Sequence, residues 1–179
     1  MPGNKNGGLI IIGSHVKKTT EQFEKLRELE AVKFIEFNHM LVLDPPKLEE
    51  ELRRVIAEAE NAIRSGVTVA VYTGRKRFDA GSEEESLRVS VQISDAITSI
   101  VRRLTVQPAF LIAKGGITSS DVGTKGLSVH RALVLGQVAP GIPVWQTGPE
   151  SKFPGMSYII FPGNVGAAET LRDVVAMLL

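Results

Sequence analysis

The chain has 179 residues, 43% of them hydrophobic and 23% charged, enough to bury the core of one large globular domain. Its 21 basic and 20 acidic side chains leave a formal charge of +1, which argues against a broad nucleic-acid surface. It has no cysteine, which excludes disulfides, thiolate metal sites and cysteine nucleophiles, and no apolar run near the roughly 20 residues of a membrane helix.

The opening residues 1–8 are polar and Gly-rich and read as a linker or chain start, with one domain over 9–179. Leu9-Ile10-Ile11-Ile12 is an unbroken apolar run ended by Gly13-Ser14, the pattern of a buried strand. Thr19 and Gln22 have capping-box spacing, and Phe23, Leu26 and Leu29 follow at helical intervals. Val32 to Phe37, rich in β-branched and aromatic residues, predicts a second strand. Asp44-Pro45-Pro46 then precedes a helix whose stripe runs through Leu48, Leu52, Val55, Ile56, Ala59 and Ile63, with Gly66 placed to end it. Val67 to Tyr72 predicts a strand closed by Thr73-Gly74. A polar loop through Asp79 and Gly81 leads to a helix with Leu87, Val91, Ile97, Val101 and Leu104 on its expected inner face.

Ala109 to Ala113 reads as the central strand. Ala132 to Leu135 and Val144 to Gln146 are shorter strands about the turn Pro140-Gly141-Ile142-Pro143, and Tyr158 to Phe161 is the last. A C-terminal helix carries Leu171, Val174, Val175 and Leu178. This alternation predicts an α/β fold, a three-layer α/β/α arrangement around a mostly parallel central sheet. A cytoplasmic protein without nucleic-acid or membrane partners is the expectation.

Strand ends at Gly13-Ser14, Thr73-Gly74, Gly115-Gly116 and Gly163-Asn164 expose backbone. In open α/β sheets such ends converge on the ligand crevice, where bare N–H groups approach phosphate oxygens. Each loop alone is better explained by turn geometry; together they favour a bound anion or nucleotide. Lys114-Gly115-Gly116-Ile117-Thr118-Ser119-Ser120-Asp121 is the most informative stretch. It suits a phosphate cradle opening a helix, and equally a helix capped by Ser119 or Ser120 with Asp121 complementing its dipole. Neither GxxxxGK[ST] nor GxGxxG occurs. His15, His39 and His130 lack metal-site spacing, so no metal ligand is assigned. His15 is either a ligand contact or a loop histidine bonded to backbone. Lys17-Lys18 and Arg75-Lys76-Arg77 either face a small anion or are solvated. Glu83-Glu84-Glu85 reads as a solvated helix start, and Trp145 as a core residue or a base-stacking one.

The stretch Gly13 to Gln22, the motif Lys114-Gly115-Gly116-Ile117-Thr118-Ser119, the turn Pro140 to Pro143 and Phe161-Pro162-Gly163-Asn164-Val165-Gly166 occur in that order. Together they resemble the C-terminal domain of the four-carbon acid sugar kinase family, across nearly the whole chain. The resemblance implies a domain that binds ATP with Mg²⁺ held largely by phosphate oxygens. It implies Ser14 contacting the nucleotide after the first strand, Gly115, Gly116, Ile117 and Thr118 lining the phosphates, and Gly163, Asn164 and Gly166 closing the site. Many members of the family have an acidic residue where this chain has Ile117, so the chain resembles an Ile-containing subgroup. The family's reaction moves the γ-phosphoryl group of ATP to a hydroxyl of a four-carbon acid such as threonate, erythronate or an oxo-tetronate.

In that family a separate N-terminal domain holds the sugar acid and an acidic catalytic motif. The expectation is that this substrate domain is missing here, so the chain binds nucleotide and is inactive as a kinase without it. The catalytic residues stay unassigned, and a homo-oligomer is compatible with the pattern. The alternatives are a stand-alone nucleotide-sensing or partner-binding module, and an unrelated enzyme using the same loops for a phosphorylated metabolite.

Overall fold

A computed structural model describes residues 4–76 and 78–179. Met1, Pro2 and Gly3 of the opening segment and Arg77 of the basic run lie outside the described residues. In chain order the strands are β1 (Leu9–Ile12), β2 (Val32–Phe37), β3 (Thr68–Thr73), β4 (Phe110–Lys114), β5 (Ala132–Ala139), β6 (Ile142–Thr147) and β7 (Ser157–Phe161). The helices are α1 (Lys17–Leu26), α2 (Pro45–Arg64), α3 (Glu83–Arg103), α4 (Gly116–Asp121) and α5 (Thr170–Leu178).

β1 is apolar throughout because it is covered on every side. It pairs in parallel with β3 on one edge and β4 on the other. Leu9 and Ile11 face the core under α2 and α3, whereas Ile10 and Ile12 face the core under α1 and α5. The full order is β2-β3-β1-β4-β7-β6-β5. Strands β2, β3, β1, β4 and β7 are parallel, and the hairpin β5–β6 adds two antiparallel strands beyond β7. The α/β/α expectation therefore holds. The hairpin is longer than its sequence suggests: β5 runs on to Ala139 and β6 begins at Ile142, so only Pro140 and Gly141 separate the strands.

Several helix signals act differently from expectation. α1 starts at Lys17 with Val16 before it and no side-chain cap, and Thr19 and Gln22 lie inside the helix on its buried face. They bond to the loop after β7 instead. Asp44 does cap α2, accepting from Lys47 N–H, and Gly66 ends the helix region at a φ of +85°. On α3 the inner face is Val89, Ile93, Ala96, Ile97, Ile100 and Val101. Leu87 and Val91 lie on the outer face, 68% and 52% exposed, because two residues back along a helix is about 200° of rotation. Among the described residues no helix is long and apolar enough to cross a membrane.

The strand order places a crevice. From β1 the chain leaves toward α1 on one face of the sheet, and from the adjacent β4 it leaves toward α4, which packs with α3 on the other. Neighbouring strands whose connections diverge to opposite faces open a gap at their C-terminal ends.

Candidate functional site

A cavity of ≈ 650 Å³ occupies that gap. Three loops wall it: Gly13 to Val16 after β1, Gly115 to Thr118 after β4, and Pro162 to Val165 after β7. Ser14, Gly115, Gly116, Ile117, Thr118, Gly163 and Asn164, all candidates from the sequence, lie on this one surface. Gly166 does not line it. It makes the turn toward α5 at a φ of +85°, next to Ala167, whose N–H bonds Thr170 Oγ1 at 2.8 Å. Thr73-Gly74 also stays outside, beneath the His39 ring. The fourth wall, absent from the sequence reading, is the face of α3 formed by Ser90, Ile93, Ser94 and Ile97. Ser90 is also the edge of a second, more open hollow of ≈ 750 Å³ around Phe78 to Ser90.

The β4 loop is shaped by Gly115, whose φ of +122° is a conformation that L side chains rarely adopt. Its N–H bonds Phe161 C=O at 2.8 Å, so the crossing between β4 and β7 is fixed at its last rung. Ser119 N–H makes the first helical bond, to Gly115 C=O at 2.9 Å. The N–H groups of Gly116, Ile117 and Thr118 thus precede the ladder, in a turn that lines the cavity. Gly115 itself stands at the cap, so neither Ser119 nor Ser120 caps α4. Ser119 bonds back to Gly116 C=O, and Asp121 ends the helix, bonded to Ser94 at 2.9 Å and Lys125 at 3.3 Å. Ile117 is 74% exposed at the rim.

The β1 loop is held from behind. Arg75 Nη2 donates to Ser14 C=O at 2.7 Å and to Thr20 Oγ1 at 2.8 Å. His15 Nε2 meets Gly74 C=O at 3.0 Å while the residue also lines the cavity, so both of its sequence roles stay compatible with its position. His39 is buried 5.5 Å from the His15 ring, and burial pushes its proton affinity down.

The β7 loop is tied by three side chains. Gln22 Nε2 donates to Val165 C=O and Ala167 C=O, both at 2.9 Å, and Thr19 Oγ1 donates to Gly163 C=O at 3.4 Å. Lys114, fully buried at the end of β4, donates from Nζ to Pro162 C=O at 2.7 Å and Gly163 C=O at 3.1 Å. Burial, with Lys18 nearby, lowers its pKa to about 8. The polar pattern of Thr19 and Gln22 was visible in the sequence as a cap; a lysine before two glycines gave no sign of burial.

Among the described residues the cavity lining has no carboxylate: it offers backbone, hydroxyls of Ser14, Ser90, Ser94 and Thr118, the His15 ring, the Asn164 amide, and apolar surface from Val16, Ile93 and Ile97. Among the described residues no group of three or more His, Asp or Glu is placed to hold a metal ion. Lys17 pairs with Glu21 at 3.8 Å on the surface, and half-buried Trp145 packs against the core, edge-on to Tyr158 with 6.4 Å between ring centres.

The family model described as the nucleotide-binding C-terminal domain matches residues 9–171. A solved Haemophilus influenzae structure of the DUF1537 family is similar at a TM-score of 0.72 and 20% identity, over 100% of this chain and 42% of that one. A Bordetella bronchiseptica DUF1537 structure, described as a domain-swapped dimer with bound citrate, is similar at a TM-score of 0.72 and 18% identity, over 96% of this chain and 41% of that one. At these identities the likeness is one of fold, and the chain spans less than half the length of either protein. No curated protein matches the chain.

Proposed function

The chain belongs to the family of the nucleotide-binding C-terminal domain, and from that membership we propose that the crevice between β1, β4 and β7 binds Mg·ATP for a sugar-acid kinase. The observation that carries it is the meeting of three loops from residues 13, 115 and 163 on one cavity without a carboxylate. Its volume of ≈ 650 Å³ falls in the range of small-molecule sites. Apolar Ile93, Ile97 and Val16 suit a base and ribose, and the Gly115–Thr118 turn suits phosphates. Mg²⁺ would be held by phosphate oxygens, since the lining supplies no acidic ligand.

The acceptor, a four-carbon acid sugar, would be presented by another domain, in keeping with the greater length of the similar structures. The bound nucleotide supplies the phosphoryl group; this chain's part is to hold and orient it. On this reading the isolated chain binds ATP without phosphorylating threonate or erythronate.

Titration calorimetry with Mg·ATP tests the proposal, repeated on Gly116→Asp. A Cβ at Gly116 meets nothing within 4 Å, so the variant folds while placing a negative charge at the phosphate position. Binding in the wild type and at least a tenfold loss in the variant, about 1.4 kcal/mol, is the expected result. Equal binding by both would overturn it.

A further inference from the structure

Lys114 is a buried cation without a counter-charge. Its Nζ rests on two carbonyls of the loop after β7 and 4.5 Å from the centre of the Phe161 ring, and its side chain has no exposure. Among the described residues no carboxylate bears on it. The charged group that faces it is Lys18 of α1, a like charge. β1 presents only apolar residues, the loop after β7 presents carbonyls, and Tyr158 of β7 belongs to the core on the sheet's other face. Carbonyl dipoles and an aromatic face solvate an ammonium but do not neutralise it. Yet the residues on either side of this contact, Gly115 and Gly163, both line the crevice. Lys114 itself does not line the crevice, but an anion held there against Gly115, Pro162 and Gly163 would stand one layer of backbone away from its ammonium.

We propose that Lys114 is a positioning residue whose ammonium fixes the Pro162–Gly163 wall and provides, from behind the crevice, the positive charge that a phosphate-bearing anion completes. The proposal deepens the nucleotide reading and rests on it for the identity of the natural anion. Protonation of Lys114 and anion binding then strengthen one another, as any two events linked through one charge must. Burial has already lowered the pKa of Lys114 to about 8, so the exchange falls within an accessible pH range. With a bound dianion the amine keeps its proton to higher pH, and binding above pH 8 draws a proton from solvent.

The test follows the Lys114 ε-carbon of ¹³C-lysine-labelled full chain by NMR from pH 6.5 to 10.5, with the signal assigned by its loss in Lys114→Arg. Titrations are made with sodium chloride, with sodium sulfate at equal ionic strength as a dianion that does not itself titrate here, and with Mg·ATP. The midpoint is expected to rise by about one pH unit or more with sulfate and with Mg·ATP, and not with chloride. Affinity is expected to be about five- to tenfold weaker at pH 9 than at pH 7 in the wild type. Lys114→Arg, always charged, should bind with a flat pH profile, and Lys114→Met should bind weakly with a flat one. Mg·ATP binding that leaves the midpoint unmoved, or a pH profile that survives in Lys114→Met, overturns the proposal while the nucleotide reading stands. A midpoint moved by sulfate with no binding of Mg·ATP supports Lys114 as the anion's partner and removes the nucleotide reading. No binding of either anion overturns both.

Discussion

A lysine with no exposure and, among the described residues, no acidic neighbour shapes how stability changes with pH. Folding lowers the pKa of Lys114 from 10.5 to about 8, so unfolding takes up a proton between those values and stability rises as pH rises through them. Tyr158 sets the upper bound: burial raises its pKa above the usual 10, so above that pH the unfolded chain gains a phenolate that the folded one resists. Chemical denaturation of the wild type should show stability increasing from pH 8 to about 10 by up to about 1.4 kcal/mol per pH unit, and Lys114→Met should remove the increase. Gly115 gives a second test, since a side chain at its φ of +122° is strained and meets Ser14 Cβ at 3.0 Å. Gly115→Ala is expected to cost about 1–3 kcal/mol in the same assay. The glycine was legible in the sequence as a strand-end turn residue. The lysine was not, because lysine is almost never fully buried and nothing local marks the exception. Thr19 and Gln22 misled in a related way: capping-box spacing is a local pattern, and their bonds go to carbonyls some 140 residues away.

Among the elements, α3 and β7 carry the site more than their sequences indicate. Ser82 caps α3, accepting from Glu85 N–H at 3.2 Å, with Glu83, Glu84 and Glu85 in the first turn and Arg102 and Arg103 in the last. Ser82→Ala should cost about 1 kcal/mol in thermal or urea unfolding. Tyr158 reaches from β7 through the core to donate to Ser119 C=O, which pins the short α4 and the π-helical turn Val122–Gly126 behind it. Tyr158→Phe removes that bond while Ser119 C=O keeps the Val122 N–H, a loss of about 0.5–1.5 kcal/mol. Strand positions were largely evident because β1, β3 and β4 are apolar on both faces and their ends are marked by glycine. The inner face of α3 was not: its outer face also carries Leu87 and Val91, so composition alone gave two stripes to choose between.

For the molecule as a whole, the order β2-β3-β1-β4-β7 brings together loops distant in the chain, so the crevice exists only when the sheet is complete. A ligand that binds there stabilises every element, and Mg·ATP at 100 times its Kd should add about 2.7 kcal/mol to unfolding, read as a raised Tm. The far edge is the exposed strand β5, with Leu133, Val134 and Leu135 each more than half exposed and Gly136 at a bulge. Val134→Lys tests whether copies associate through it: sedimentation velocity should show less self-association, with Tm unchanged.

Of the strands described, the earliest in the chain, β1, lies inside the sheet, between partners that come much later. During synthesis β1 leaves the ribosome long before either neighbour exists, since β3 ends at Thr73 and β4 at Lys114. For that interval Leu9-Ile10-Ile11-Ile12 has two open edges and two apolar faces, a short, uncharged template for unwanted pairing. Until residue 114 has emerged the sheet cannot close around β1, and both of its edges stay open to mispairing.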